Sequence, residues 1–139
     1  MTAIPANRPI HSQLFRFCVV GAIAFVVDAG IVQGLVVWRG WDPFLARVVS
    51  YLAAATTAWW LNRRFTFGAG DDPIHHEWLK YLAVNTAGGL VNYAAYAALV
   101  LASDTVRLMP ALGVAAGSVA GLVVNFGLNR WLVFRRRGA

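Results

Sequence analysis

The segment 17–37 reads FCVVGAIAFVVDAGIVQGLVV and contains a single charged residue, Asp28. An apolar run of about 20 residues is long enough to cross the ~30 Å hydrocarbon core of a bilayer as an α-helix. Three further runs of the same character follow, at 44–61, 81–101 and 112–128. The sequence therefore predicts an all-α membrane protein with four transmembrane helices.

The composition of the chain agrees with this class. Of its 139 residues 59% are hydrophobic and only 13% are charged, so the chain cannot cover itself with polar surface. Four spans leave no room for a separate soluble domain of ordinary size. Charged residues, Pro and Gly collect in the intervening segments 38–43, 62–80 and 102–111, which are predicted to be loops. The six Trp residues all fall at or near the predicted span ends, where aromatic side chains favour the membrane interface.

The distribution of Lys and Arg predicts the orientation. Alternate loops place nine basic residues on one side of the membrane and three on the other, and the richer side is expected to be cytoplasmic. Both termini are then inside a multi-pass protein of the cytoplasmic (inner) membrane. The net charge of +6 is juxtamembrane, so we expect contact with acidic lipid and no nucleic acid partner. The nine are Arg8, Arg16, Arg63, Arg64, Lys80, Arg130, Arg135, Arg136 and Arg137; the three are Arg39, Arg47 and Arg107.

The two halves of the chain repeat one pattern, at about 16–67 and 80–134 within a single domain, 1–139. In each half a basic residue and an aromatic open a first span with a polar residue inside it, Asp28 or Asn92. A proline, Pro43 or Pro110, precedes the second span, which ends in Asn-Arg and, five residues after the Asn, Phe. Two spans return the chain to its starting side, so the repeats are predicted to be hairpins of parallel topology.

These features resemble the GtrA-like family of small four-span membrane proteins, which is related to the transmembrane domain of dolichol-phosphate-mannose-type synthases. The resemblance covers about 15–134 and includes the exits Asn62-Arg63 to Phe67 and Asn129-Arg130 to Phe134. The family's Asn-Phe pair before the exit is present as Asn125-Phe126, but stands as Ala58-Trp59 in the first half. The resemblance implies a role in moving polyprenyl-phosphate-linked sugars across the cytoplasmic membrane for cell-surface polysaccharide synthesis, or in assisting the glycosyltransferases that use them.

Four polar residues in or near the spans are candidate intramembrane or sugar-binding groups: Asp28, Asn92, Arg47 and Asn125. Asp28 lies ~17 Å of helix from the start of its span, where an ionised group costs about 2.5 to 3.5 kcal/mol unless protein, water or a cation faces it. Its role is either functional or that of a hydrogen bond between helices. Asn92 joins helices or contacts a sugar. Arg47 pairs with Asp28 or extends its charge to the interface.

The exits of the second and fourth spans are candidate lipid-phosphate-binding sites, because arginine and asparagine side chains there would bind a phosphate at the headgroup level. The alternative is that these basic residues only anchor the chain. His75, His76, Asp71, Asp72 and Glu77 are predicted to lie in a solvated loop without metal-site spacing, and we expect no metal, cofactor or catalytic chemistry. The candidate phosphate-binding residues are Asn62, Arg63, Arg64, Asn129 and Arg130.

Three functions are compatible with the pattern. The first is a translocase that flips a polyprenyl-phosphate sugar lipid. The second is a non-transporting anchor or scaffold for a polyprenyl-phosphate glycosyltransferase, and the third, a small drug or cation exporter, is disfavoured by the parallel repeat and its basic exits. Four spans form a thin bundle, so a partner enzyme or a homodimer is expected, with the stripe Gly113, Gly117 and Gly121 as its interface.

Overall fold

The computed structural model describes residues 8–135, together with all but eight of their side chains. The chain divides into two compact units, 1–71 and 72–139. Each unit is a helical hairpin, called here hairpin 1 and hairpin 2, and the division falls between the two predicted repeats. The side chains outside the description are Pro43, Phe44, Arg47, Arg107, Pro110, Ala111, Gly113 and Val114.

Hairpin 1 consists of two long helices. Helix α1 covers Ile10–Gln33 and continues through a π-helical turn, Gly34–Trp38; helix α2 covers Pro43–Leu61 and continues through a second π-helical turn, Asn62–Thr66. The connection is tight, with Gly40 at a φ of 66° that side chains disfavour. Asp42 Oδ1 accepts a 3.0 Å hydrogen bond from the Leu45 amide, so this carboxylate caps the start of α2.

Hairpin 2 follows the same plan with one added element. Helix α3 covers Ile74–Ala102, and helix α5 covers Pro110–Leu128 before a π-helical turn, Asn129–Val133. Between them lies a five-residue helix α4, Asp104–Leu108, whose first turn is capped by the Ser103 hydroxyl. The longer connection accounts for the three residues by which the repeat offset grows from 64 at Asp28 and Asn92 to 67 at Asn62 and Asn129.

The first helix of each hairpin begins seven residues earlier than predicted. Both start directly after a proline, Pro9 or Pro73, and both starts read Pro-Ile-His at the 64-residue offset. The prediction that 62–80 is one loop was therefore wrong, because the π-helical turn after α2 extends to Thr66 and α3 already begins at Ile74. Hydropathy marks where the hydrocarbon ends, whereas helical hydrogen bonding continues into the polar region beyond it.

Small side chains let the two helices of each hairpin approach closely. In hairpin 1, Ala46, Ser50, Ala54 and Ala58 recur every four residues along α2 and are all buried. Small residues at this spacing allow helices to come together in lipid, where hydrophobicity does not drive their association.

The corresponding stripe of hairpin 2 is made of glycines and packs within the hairpin. A Cβ added at Gly117 would lie 2.6 Å from the Asn92 carbonyl oxygen, and one at Gly121 would lie 2.9 Å from the Gly88 carbonyl oxygen. Both positions are therefore covered by α3 of the same hairpin, and the predicted homodimer stays a prediction. Gly113 is outside the description.

The outer surface of the helices is apolar. Phe25, Val26, Leu90 and Val123 are each more than 60% exposed, whereas the buried positions are mainly small or polar. Two helical segments within 8–135 are long and apolar enough to cross a membrane, Ile10–Trp38 and Ile74–Ala102. Helices predominate throughout, and the described residues form no β-strand.

Candidate functional site at the open ends of the hairpins

The candidate site lies at what we call the open end of each hairpin, where its first helix begins and its second helix finishes. In hairpin 1 the Phe17 and Phe67 rings meet there, with centroids 5.9 Å apart. The π-helical turn beside them buries Asn62 and Thr66, each only 1% exposed. The Phe67 amide donates a 2.9 Å hydrogen bond to the Asn62 carbonyl, which closes the end of the turn.

Two arginines from the start of hairpin 1 converge on one backbone oxygen. Nη1 of Arg8 and Nη1 of Arg16 donate to the Phe65 carbonyl, at 3.2 and 3.1 Å. The last carbonyls of a helix lack partners within the helix, and a carbonyl oxygen can accept two hydrogen bonds. The arrangement therefore caps the end of the second helix and also concentrates two positive charges on an exposed surface.

A third arginine of hairpin 1 lies against aromatic rings. The Arg64 guanidinium carbon is 5.5 Å from the Trp60 ring centroid and 5.9 Å from that of Phe65, and these two rings meet edge to face. All three side chains are exposed. Cation–π contacts of this kind hold a guanidinium in place while most of its N–H groups remain available to an anion. Arg63, the neighbouring predicted residue, is only partly exposed.

Hairpin 2 repeats the aromatic contact but not the charges. Tyr81 and Phe134 replace the two phenylalanines, with ring centroids 6.1 Å apart. The Arg130 guanidinium lies 5.5 Å from the ring centroid of Trp131. At the start of α3, however, Lys80 forms an ion pair with Asp72, so the cation there is neutralised by a carboxylate of the same hairpin.

Both predicted exit asparagines are buried. Asn129 is fully buried, and its Nδ2 donates a 2.8 Å hydrogen bond to the Asn125 carbonyl one helical turn earlier. Asn62 is in the equivalent position of hairpin 1. Their burial favours a role in helix packing, whereas the arginines next to them in sequence reach the surface; lipid-phosphate binding by the two asparagines stays a prediction.

Glu77 contradicts its prediction as part of a solvated loop. It lies in the first turn of α3 and is fully buried, while the adjacent His75 and His76 are exposed on the same helix. At the 64-residue offset Glu77 corresponds to Gln13, which is also buried and donates from Nε2 to the Arg8 carbonyl at 3.0 Å. The two positions thus hold polar groups inside the open ends of both hairpins.

The predicted polar residues within the spans occupy the helix interfaces or their edges. Asp28 is partly buried on α1, ten residues before Trp38 and thus ~15 Å of helix from it. Asn92 lies against α5, where its Oδ1 would be 2.7 Å from a Cβ at Gly117. Asn125 fills the space above Gly88, and within the described residues its Oδ1 is buried without a hydrogen bond.

The Arg47 side chain lies outside the description, so its predicted pairing with Asp28 stays open. Among residues 8–135, no group of three or more His, Cys, Asp and Glu side chains is arranged to hold a metal ion. Arg16 and Lys80 open the first spans of the two predicted repeats, and extending the repeat upstream to Pro9 and Pro73 also aligns Arg8 with Asp72.

Apolar lipid-facing helices and basic, aromatic open ends define this chain as a helical membrane protein. It belongs to the family of the GtrA/DPMS transmembrane domain, whose model matches residues 16–134. The resemblance drawn from the exit motifs is thereby confirmed, and the chain is placed among membrane proteins of glycosyl-lipid pathways. No solved structure matches the chain.

Proposed function

We propose that the protein flips a polyprenyl-phosphate-linked sugar across the cytoplasmic membrane for cell-surface polysaccharide synthesis. The observation that carries the proposal is the gathering of arginines beside exposed aromatic rings at the open ends. Arg64 lies against Trp60 and Phe65, and Arg130 against Trp131. A guanidinium binds phosphate through charge-assisted hydrogen bonds, and aromatic rings favour the level of the lipid headgroups.

Four spans with both termini inside are part of this proposal. Helices α2 and α5 each have 19 residues, hence ~28 Å of helix, which is close to the thickness of the hydrocarbon core. Both helices expose large apolar side chains, including Leu52 on α2 and Val119 on α5. With α1 and α3 they make two membrane-crossing hairpins, and the basic open ends then face the cytoplasm.

Asp28 supplies a polar group between the two surfaces. A carboxylate about halfway along a span is costly in lipid and is commonly found facing a polar pathway. In the proposed mechanism the arginines hold the phosphate at the inner surface, Asp28 receives sugar hydroxyls during passage, and the prenyl chain stays in lipid. Asn92 and Asn125 have helix-packing positions in hairpin 2, so the sugar contact is assigned to Asp28 first.

The test is transport of a radiolabelled polyprenyl-phosphate sugar by the protein reconstituted in liposomes. Replacing Asp28 with Asn keeps the shape and removes the charge, so we expect strong loss of transport with normal insertion. Arg63→Gln and Arg130→Gln should each weaken binding of the lipid, because each removes a charge-assisted contact worth about 1.5 to 3 kcal/mol. Arg39→Gln is the control, since Arg39 lies at the opposite end of hairpin 1 from Arg63.

The outcomes separate transport from scaffolding. If the parent protein binds the lipid but does not move it, the non-transporting alternative applies, in which the chain presents the lipid to a glycosyltransferase. If the three variants bind and translocate like the parent, the site lies elsewhere in the chain. A second copy of the chain or the glycosyltransferase would complete the pathway in this proposal, at a surface other than Gly117 and Gly121.

A further inference from the structure

The two hairpins differ in charge at one pair of equivalent positions. At the 64-residue offset Arg8 and Arg16 of hairpin 1 correspond to Asp72 and Lys80 of hairpin 2. In hairpin 1 both side chains are cations that share the Phe65 carbonyl; in hairpin 2 the two form an ion pair with each other. The same place in the repeat therefore carries two positive charges in one copy and no net charge in the other.

From this difference we infer that Arg8 and Arg16 form a binding site for a phosphate group at the open end of hairpin 1, and that Asp72 occupies the corresponding place in hairpin 2. The two Nη1 atoms are no further apart than about 6 Å, the limit set by their shared acceptor. Two like charges this close repel each other, more strongly near a protein surface than in bulk water because the effective dielectric constant is lower there. An anion between them removes this repulsion.

Most hydrogen-bond donors of the two arginines remain available to a ligand. Each guanidinium has five N–H groups and uses one of them on Phe65, and within residues 8–135 no carboxylate pairs with Arg8 or Arg16. Capping the second helix requires only one cation, so the second arginine is not explained by the cap alone. Hairpin 2 shows the contrast, since its Lys80 is already paired with a carboxylate in the place where a phosphate would bind.

Exposed rings beside the site indicate the class of ligand. Phe65, whose carbonyl the two arginines share, has an exposed ring that meets the exposed Trp60 ring edge to face, and Arg64 adds a third cation at these rings. Apolar rings at the edge of a phosphate site suit an isoprenyl phosphate. This choice of ligand rests on the proposed function, whereas the phosphate site itself does not.

The experiment measures phosphate binding by the full chain in nanodiscs of phosphatidylcholine. Radiolabelled farnesyl phosphate is the lipid probe and inorganic phosphate is the soluble one. We expect saturable binding of farnesyl phosphate, and Arg8→Asp, which copies hairpin 2, should weaken binding at the hairpin 1 site at least about tenfold. Arg39→Asp makes the same change in net charge at the other end of the hairpin and should change binding less than about twofold.

Each further result bears on the site. Inorganic phosphate that binds with the same dependence on Arg8 identifies a site for the free anion, whereas binding of farnesyl phosphate alone identifies a headgroup site; both support the inference. Equal weakening by Arg8→Asp and Arg39→Asp would show a general charge effect and would overturn it. Arg8→Gln and Arg16→Gln, which add no negative charge, provide the same comparison if Arg8→Asp does not fold.

The reciprocal substitution tests the part played by Asp72. Asp72→Arg gives hairpin 2 the pair of cations that hairpin 1 has, and we expect the number of farnesyl phosphate molecules bound per chain to rise by one. An unchanged stoichiometry would refute the role assigned to Asp72. If the parent binds farnesyl phosphate through Arg8 but moves no sugar lipid, the proposed transport alone is refuted. If the parent moves the sugar lipid and Arg8→Asp binds farnesyl phosphate like the parent, only this site is refuted.

Discussion

Exchange of residues between the repeats gives the sharpest test of the helix packing. In hairpin 2, Gly88 of α3 faces Asn125 of α5; the corresponding positions of hairpin 1 hold Ala24 and Ala58. A Cβ at Gly88 would lie 1.8 Å from Asn125 Oδ1 and 2.3 Å from its Cγ. Ordinary contact begins at 3.4 Å, so the Asn125 side chain would have to move by about 1.6 Å.

We therefore expect Gly88→Ala to destabilise hairpin 2 by about 1 to 3 kcal/mol, the usual cost of overpacking a close helix contact. Asn125→Ala alone removes the side chain that fills the space above Gly88 and should also destabilise the protein, through the lost packing. The double variant recreates the Ala pair of hairpin 1. Its loss of unfolding free energy should be smaller than the sum of the losses of the two single variants, by a coupling energy of at least about 1 kcal/mol.

The assay is reversible unfolding in bicelles, followed for all four proteins of the double-mutant cycle. Gly89→Ala is the matched control, because a Cβ there meets no atom within 4 Å. Additive effects of the two substitutions, or a Gly88→Ala protein as stable as the control, would show that Asn125 turns away freely and that the close contact does not constrain the hairpin.

Two further predictions concern stability and topology. Gly117→Ala should lower the free energy of unfolding more than Gly88→Ala does, and no shorter side chain should rescue it, because its Cβ would lie 2.6 Å from a backbone oxygen of Asn92. The same unfolding assay measures this effect. A Gly117→Ala protein as stable as the parent would contradict the packing. In a protein whose Cys18 has been replaced, a cysteine at His76 should react with a membrane-impermeant thiol reagent from the cytoplasmic side and one at Arg39 from outside. Labelling of both from the same side would refute the four-span topology.

Much of the architecture could be predicted from the sequence because bilayer solvation acts locally along the chain. Apolar runs around Asp28 and Asn92 indicated membrane helices, and the exit motifs at Asn62 and Asn129 identified the family. Small residues every four positions indicated close helix contacts. The sequence did not determine which helix packs against this stripe, because a small residue such as Gly117 allows close approach of a helix from the same chain or from another copy.

Tertiary structure decided which residues meet at the open ends. Arg8 and Arg16 lie 57 and 49 residues from Phe65, and their convergence on its carbonyl depends on how α1 packs beside the end of α2. Glu77 looked like a loop residue because its neighbours are polar, yet the early start of α3 turns it inward. Hydropathy reports where a segment meets lipid, a property of the segment alone, whereas side-chain partners and helix ends depend on packing between segments that are distant in sequence.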